Sequence, residues 1–174
     1  NQYLIEDLKS VVETKLPWEK LENKSVLVTG ATGLVGSLCV KMLLMLNQEK
    51  HTNTKILAFV RNEKKAKDLY KEWIGNENLI FVIGDLNKPM TVEEDVDYII
   101  HGAAITTSKI MVERPVDTIL TSITGTKNVL DLAVEKNVSS VVYLSSMEMY
   151  GTFDDEKGPV KEEDLGYIDI KNIR

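Results

Sequence analysis

Short apolar runs that alternate with helical segments constrain the fold of this chain more than any other feature. Five runs rich in Val, Ile and Leu are predicted strands, at residues 25–28, 55–60, 79–83, 96–101 and 141–144. The predicted helices lie at residues 3–16, 34–46, 63–74 and 115–135. Continuous apolar strands in alternation with helices are typical of a parallel sheet covered on both faces. The sequence therefore predicts an α/β fold, a doubly wound parallel sheet whose ligand binds at the carboxyl ends of the strands.

A glycine-rich turn joins the first predicted strand to the helix that follows it. Residues 29–36 read Thr-Gly-Ala-Thr-Gly-Leu-Val-Gly. In such a turn, Gly30 permits the tight bend, Gly33 lets the backbone approach a pyrophosphate, and Gly36 lets the helix pack on the strand. The N–H groups at the start of the helix have no partner within it and attract phosphate. The position of the turn predicts a dinucleotide site, with an incidental glycine turn as the alternative.

The spacing of these glycines, Gly-x-x-Gly-x-x-Gly, resembles the extended short-chain dehydrogenase/reductase family in its NAD-dependent epimerase/dehydratase branch. Four further stretches match that family's motifs in order, and the resemblance covers residues 24–170. They are Asp85-Leu86, His101-Gly102-Ala103-Ala104, Gly125-Thr126 (with Ser122 where the family has Asn) and Ser145-Ser146-Met147-Glu148-Met149-Tyr150-Gly151. The resemblance implies an NAD(P)-binding Rossmann fold and an NAD(P)-dependent epimerase, dehydratase or decarboxylase acting on a UDP- or dTDP-linked nucleotide sugar.

The same resemblance implies where the cofactor binds. The family's Asp, here Asp85, hydrogen-bonds the adenine, and the loop that contains Ala103 and Ala104 lines the nicotinamide. The predicted cofactor-binding residues are Gly30, Thr32, Gly33, Leu34, Val35, Gly36, Arg61, Asp85, Leu86, Ala103, Ala104, Thr106 and Ser145. A purely structural role is the alternative for several of them, because Asp85 suits a turn and small alanines suit close contacts. No metal site is predicted, since His101 has no second ligand near it in the sequence.

The choice between NAD and NADP depends on the end of the second predicted strand. An acidic residue there would bind the ribose 2′-hydroxyl of NAD. This chain has Arg61 instead, with Lys64 and Lys65 nearby. A guanidinium group suits the 2′-phosphate of NADP. Arg61 therefore leans slightly toward NADP, while an exposed arginine, or one stacked on the adenine of NAD, is the alternative.

The stretch after the fifth predicted strand carries two candidate catalytic residues. By resemblance, Ser146 would hydrogen-bond the reacting sugar oxygen, and Glu148 would act as an acid/base near C5 of the sugar. Met147 stands where the 4,6-dehydratases of the family have an Asp, and its side chain cannot donate a proton. The pattern therefore favours a decarboxylase-like or epimerase-like activity over dehydration. A surface carboxylate is the alternative for Glu148.

The family's catalytic Tyr and Lys form a Tyr-x-x-x-Lys motif, which the resemblance places to begin close to residue 171. Tyr167 and Lys171 have this spacing, but the residues between them lack the small Ser and Ala typical of the motif. We therefore expect the true motif and the substrate domain to lie outside these 174 residues, and residues 1–174 alone to be inactive. Tyr167 and Lys171 remain the alternative catalytic pair.

Two segments make up the predicted domain organisation. Residues 1–20 contain apolar side chains at helical spacing, among them Leu4, Leu8 and Val12. They predict an amphipathic helix that ends at Pro17 and docks on the domain. Residues 21–174 are the predicted dinucleotide-binding Rossmann domain.

Composition narrows the classes of partner. The formal net charge is −6, which argues against nucleic-acid binding. No apolar run approaches the roughly 18 residues of a membrane span, and the single Cys39 fits a reducing cytoplasm. The resemblance also implies a homodimer through the helix at 115–135 and its neighbour. Two other functions stay open: an NADP-dependent reductase of non-sugar carbonyls and a non-catalytic dinucleotide-binding sensor.

Overall fold

The computed structural model describes residues 2–153 and 158–169, which contain five strands with helices in every connection except the one between the third and fourth strands. The strands are β1 (Ser25–Thr29), β2 (Lys55–Val60), β3 (Leu79–Ile83), β4 (Tyr98–His101) and β5 (Ser140–Tyr143). The helices are α1 (Gln2–Val12), α2 (Leu34–Lys50), α3 (Glu63–Leu69), α4 (Ser108–Glu113) and α5 (Pro115–Glu135). Short 3-10 helices lie at Trp18–Leu21, Lys71–Trp73 and Met147–Tyr150.

The strands form one sheet in the order β3-β2-β1-β4-β5, and every neighbouring pair is parallel. The chain runs outward from β1 through β2 to β3, then crosses to the other side of β1 to form β4. The connections therefore diverge at the carboxyl ends of β1 and β4, which leaves a crevice between the loops that follow them. This topology confirms the predicted doubly wound parallel sheet.

Alternate side chains of the central strands supply two apolar cores, one on each face of the sheet. Val26 and Val28 of β1 belong to the core that includes Leu44 of α2. Leu27 points to the other face and belongs to the core that includes Val129 of α5. All five residues of β1 are buried, as expected of a parallel strand covered on both faces.

Helix α1 packs against α2 in a third apolar cluster, separate from the two cores of the sheet. Its buried residues Leu8 and Val12 pack with Met45 and Leu46 of α2. Of the apolar positions that the sequence shows at helical spacing, α1 buries Leu8 and Val12 and partly buries Leu4, while Ile5 and Val11 are exposed.

Two predicted helices end earlier in the structure than the sequence predicts, and one helix is not predicted at all. The first ends at Val12 rather than at residue 16, because residues 13–17 form turns that lead into a 3-10 helix. The third ends at Leu69, where Tyr70 adopts a non-helical conformation, and a 3-10 helix follows it. The unpredicted helix is α4, whose six residues carry no distinct periodic pattern.

Helix α2 continues to Lys50, four residues past its predicted end. His51 ends it with a left-handed φ of 56°. The polar Asn47, the first residue after the predicted helix, is instead helical. Its side chain accepts from the Thr54 N–H and donates to the Thr54 carbonyl, both at 2.8 Å. Asn47 therefore does not end the helix, and its polar side chain instead hydrogen-bonds the backbone just before β2.

Candidate functional site

The candidate site lies at the carboxyl ends of β1 and β4, beside the crevice. Thr29 and His101 are partners in the register of these strands. The Gly102 N–H donates to the Thr29 carbonyl at 3.3 Å, so the loops that leave the two strands begin side by side. The predicted glycine-rich turn and the predicted nicotinamide loop therefore meet at one edge of the sheet.

Gly30 forms the bend that the sequence predicts. Its φ is +70°, in the left-handed region that favours glycine. A Cβ at this position would lie 2.7 Å from the Gly102 carbonyl oxygen and 2.9 Å from the Ala103 nitrogen. The conformation and the close approach of the second loop both require glycine.

Gly33 and Gly36 pack around the carbonyl group of Gly30. A Cβ on Gly36 would lie 2.3 Å from that oxygen, and a Cβ on Gly33 would lie 3.1 Å from it. The Gly33 N–H donates to the same oxygen at 2.8 Å. Gly36 thus packs against the Gly30 backbone, which places the first turn of α2 in direct contact with the bend.

The N-terminus of α2 opens to solvent. Gly33 is the N-terminal cap, and the next two residues, Leu34 and Val35, are exposed. The first N–H groups of a helix lack intrahelical partners and lie at the positive end of its dipole. Thr32 is half-buried and Ala31 is buried. The outer side of the turn can therefore receive a phosphate group, whereas its inner side belongs to the core.

His101 connects three elements around the crevice. Its Nδ1 lies 2.7 Å from the Thr29 Oγ1, and its Nε2 lies 3.2 Å from the Thr126 Oγ1 of α5. The Ala103 N–H donates to the same Thr29 oxygen at 3.3 Å. Burial lowers the pKa of His101, which favours a neutral ring with one nitrogen as donor and the other as acceptor. The imidazole thereby links the end of β1 to α5, and the Thr29 hydroxyl links β1 to the loop after β4.

Asp85 is held in a local turn after β3. Its Oδ1 accepts from the Asn87 N–H at 3.0 Å and from the Asn87 side-chain amide at 3.2 Å. The side chain of Leu86 is buried in the core of the α5 face. A contact of Leu86 with a cofactor would therefore come from its backbone, and both predicted contacts remain predictions.

Arg61 lines a cleft of about 430 Å³ whose other wall includes Asn87 of the loop after β3, Arg114, and Asp117 and Thr121 of α5. Arg114 is paired with Asp117 at 2.6 Å. Arg61 is exposed and forms no ion pair with another described residue. The cleft therefore contains one arginine that is paired and one that is available to an anionic ligand.

The remaining predicted residues lie on the loops after β4 and β5. Ala103 is half-buried, while Ala104, Thr106 and Ser145 are exposed. The Ser145 hydroxyl donates to the Met149 Sδ at 3.2 Å. These residues follow the carboxyl ends of β4 and β5, and their cofactor contacts stay predictions.

The two candidate catalytic residues share a 3-10 turn after β5. The Ser146 side chain caps this turn by accepting from the Glu148 N–H at 3.2 Å. Both side chains are exposed. The cap leaves the Ser146 O–H able to donate to another oxygen, and it places the Glu148 backbone directly next to it.

The alternative pair, Tyr167 and Lys171, is only half within the described residues. The backbone of Tyr167 pairs with that of Thr152 through hydrogen bonds of 2.8 and 2.9 Å, and its ring is exposed. Lys171 lies outside the described residues. The pair therefore stays a prediction.

A sequence model of the NAD dependent epimerase/dehydratase family matches residues 26–173 of this chain. The chain belongs to this family. The match begins in β1, immediately before the glycine-rich turn, and includes every motif described above.

Relatives within the epimerase/dehydratase family share both sequence and fold. UDP-glucose 4-epimerase of Rickettsia canadensis is 32% identical over 130 residues, which cover 71% of this chain and 37% of that protein. UDP-glucuronic acid decarboxylase 1 of Xenopus tropicalis is 33% identical over 148 residues, which cover 84% and 32%. The dTDP-glucose 4,6-dehydratase DesIV of Streptomyces venezuelae, solved with NAD and TYD bound, has a TM-score of 0.69 at 26% identity over 80% of this chain and 44% of that one. The chain thus spans roughly a third of the length of these two curated relatives.

Sequence reasoning missed several side chains that shape the candidate site in this structure. Thr29, Thr126 and Tyr70 hydrogen-bond around the glycine-rich turn, and Arg114 lines the cleft next to Arg61. Thr29 and Thr126 belong to motifs described above, so the sequence holds a signal for them. Nothing near Tyr70 or Arg114 in the sequence marks either one.

Two other kinds of feature are absent from the described part of the chain. None of its helices has the length and apolar character needed to cross a membrane. Within residues 2–153 and 158–169, no three His, Cys, Asp or Glu side chains come together where a metal ion could bind.

Proposed function

We propose that this chain is the cofactor-binding part of an enzyme that modifies nucleotide sugars. The observation that carries the proposal is the crevice between β1 and β4, where Gly33 and Gly36 pack around the carbonyl of Gly30 and the start of α2 is exposed to solvent. The names of the relatives, an epimerase and a decarboxylase of UDP-sugars, support the substrate class. We further propose that the substrate is UDP- or dTDP-linked.

The residues at this edge fit a nicotinamide dinucleotide. The exposed start of α2 suits its pyrophosphate, and the cleft beside Arg61 lies at the end of β2, where such folds place the adenosine ribose. When bound, the nicotinamide would accept and return a hydride. Gly30 and Gly102 bring the two loops that flank it into contact.

Ser146 and Glu148 would act on the sugar. The Ser146 hydroxyl, whose lone pair accepts from the Glu148 N–H, keeps its proton to donate to a sugar oxygen. The Glu148 carboxylate can accept or return a proton. Met147 between them cannot protonate a leaving hydroxyl, which favours decarboxylation or epimerisation over dehydration.

Arg61 favours NADP over NAD in this proposal, because its guanidinium borders the cleft and forms no ion pair with the residues that the structure describes. Replacement by alanine, Arg61→Ala, should weaken NADP binding more than NAD binding. Calorimetric titration of both dinucleotides measures the ratio of the two dissociation constants. An unchanged ratio would indicate that Arg61 stacks on the adenine of either dinucleotide, or that it is exposed to solvent and contacts neither.

Turnover by the intact natural protein that carries this chain tests the reaction. We expect conversion of UDP-glucuronate or UDP-galactose, and a loss of about 100-fold or more in Glu148→Gln, the size of a general acid/base contribution. Glu77→Gln, an exposed carboxylate ahead of β3, is the matched control and should retain activity. Reduction of a non-sugar carbonyl with NADPH would support the second candidate, a reductase, which Arg61 favours. Dinucleotide binding without turnover of any of these substrates would contradict both enzyme functions and would favour a non-catalytic dinucleotide-binding sensor.

A further inference from the structure

The side chain of Tyr70 reaches beneath the glycine-rich turn from the far end of α3. Tyr70 is fully buried, with 0% of its surface exposed. Its ring packs near Phe81, with 5.9 Å between the ring centroids. Its hydroxyl donates a hydrogen bond to the carbonyl oxygen of Ala31, in the middle of the turn. Tyr70 thus forms a hydrogen bond to the turn that is predicted to bind phosphate, although it lies 39 positions after Ala31 in the chain.

The Ala31 carbonyl needs this donor. Ala31 is 0% exposed, so water does not reach its polar group, and a buried carbonyl without a partner is costly. The structure supplies the Tyr70 hydroxyl as that partner. The hydroxyl remains protonated over the ordinary pH range, because burial, with a smaller contribution from nearby Cys39, raises the pKa of Tyr70.

The direction of one carbonyl fixes the direction of the next N–H. A trans peptide unit is planar, and its C=O and N–H point in opposite directions. Since the Ala31 carbonyl points inward to Tyr70, the N–H of Thr32 points to the outer side of the turn. That is the side on which Gly33 and Leu34 are exposed at the start of α2.

We propose that Tyr70 is a positioning residue for the phosphate-binding turn: its hydroxyl orients the Ala31–Thr32 peptide so that the Thr32 N–H faces the pyrophosphate of the cofactor. The proposal rests on the proposed function, since it assumes that the turn binds a dinucleotide. Tyr70 does not touch the ligand and acts only through the backbone of the turn.

Tyr70→Phe removes the hydroxyl and keeps the ring in the core. Tyr98→Phe is the matched control, because the Tyr98 hydroxyl reaches the Lys20 carbonyl at 3.5 Å, at the opposite end of the sheet. Calorimetric titration of the 174-residue chain with NADP, NAD and ADP gives the dissociation constants. We expect Tyr70→Phe to weaken all three ligands about five- to tenfold, the equivalent of one hydrogen bond, because all three carry a pyrophosphate. Tyr98→Phe should stay within about twofold of the wild type.

Amide NMR of the ligand-free chain tests the positioning step separately. In Tyr70→Phe the Thr32 amide resonance should move and its hydrogen exchange should accelerate, while both stay unchanged in Tyr98→Phe. In the wild type the Tyr70 hydroxyl proton should exchange slowly and show a contact to the turn, which keeps the test valid if Tyr70→Phe does not fold.

The outcomes separate the two proposals. Tyr70→Phe with unchanged affinities, or Tyr98→Phe with an equal loss, would overturn the positioning role. A rapidly exchanging Tyr70 hydroxyl in the wild type would do the same. If the wild-type chain binds none of the three ligands, the proposed function fails, whereas the Thr32 amide still reports whether Tyr70 orients the turn.

Discussion

Replacement of Gly36 by alanine sets two opposing effects against each other. Gly36 lies in the first turn of α2, where alanine is the better helix former by about 1 kcal/mol. The added Cβ, however, would lie 2.3 Å from the Gly30 carbonyl oxygen and 2.7 Å from its carbonyl carbon. These are backbone atoms, so no flexible side chain can move aside.

The contact should outweigh the gain in helix propensity. Ordinary contact between such atoms begins near 3.4 Å, so the Gly30 carbonyl would have to retreat by about 1 Å. Overpacking of this kind costs about 1–3 kcal/mol, and more where the backbone must shift. A clash with two backbone atoms belongs at the upper end of that range, about 3 kcal/mol. After the propensity gain we therefore expect Gly36→Ala to lower the free energy of unfolding by about 2 kcal/mol. The displaced bend should also weaken dinucleotide binding at least tenfold.

Urea unfolding followed by circular dichroism measures the stability change, and calorimetric titration measures binding. Gly158→Ala is the matched control, because a Cβ there meets nothing within 4 Å. A Gly36→Ala chain that is as stable as the wild type, or more stable, and binds as tightly would refute the close packing of the turn.

Three further changes test other parts of the structure. Burial lowers the pKa of His101, so the unfolded chain binds its proton first. The free energy of unfolding should therefore fall as the pH drops below the ordinary value of 6.5. Urea unfolding at two pH values should show a smaller loss of stability in His101→Gln than in the wild type. Equal losses in the two chains would contradict the role of His101. Burial acts to raise the pKa of Asp97, but the Ser25 N–H at 2.8 Å and Lys24 at 3.0 Å outweigh it and lower that pKa. Asp97→Asn should lower the free energy of unfolding by about 0.5–1 kcal/mol at neutral pH. In unfolding measurements at acid pH, this stability difference from the wild type should vanish as the pH falls through the lowered pKa. A stability difference that persists at that pH would argue against the ionised Asp97 as its source. Leu8→Ala should lower the free energy of unfolding by about 2 kcal/mol, and no change in thermal or urea unfolding would mean that α1 does not dock on α2 in solution.

Local patterns in the sequence are enough to predict the sheet and the turn. The strands are continuous apolar runs, and a run such as 25–28 needs no knowledge of its neighbours to be recognised. Gly33 and Gly36 likewise pack against the carbonyl of Gly30, a few residues away, whereas Gly30 also approaches Gly102 and Ala103, which the completed fold brings close. Fold class and the place of the candidate site follow from these short-range features.

Features that depend on distant contacts could not be predicted. Asn47 looks like the start of a loop until its side chain is seen to bond Thr54. In the sequence Tyr70 looks like any aromatic residue within the predicted helix 63–74, yet its hydroxyl bonds the backbone 39 residues earlier. The cleft beside Arg61 has a second wall from the region of Arg114, which no spacing rule places next to β2. In each case the partner is brought close only by the completed fold.

An NMR titration of the 174-residue chain with NADP and NAD tests the central claim, that the carboxyl edge of β1 and β4 binds a nicotinamide dinucleotide. Backbone amide resonances report where the ligand binds as well as whether it binds. We expect saturable shifts at Thr32 to Gly36 and at Ala103. The absence of saturable shifts, or shifts confined to the opposite end of the strands around Lys24 and Asp97, would contradict the claim.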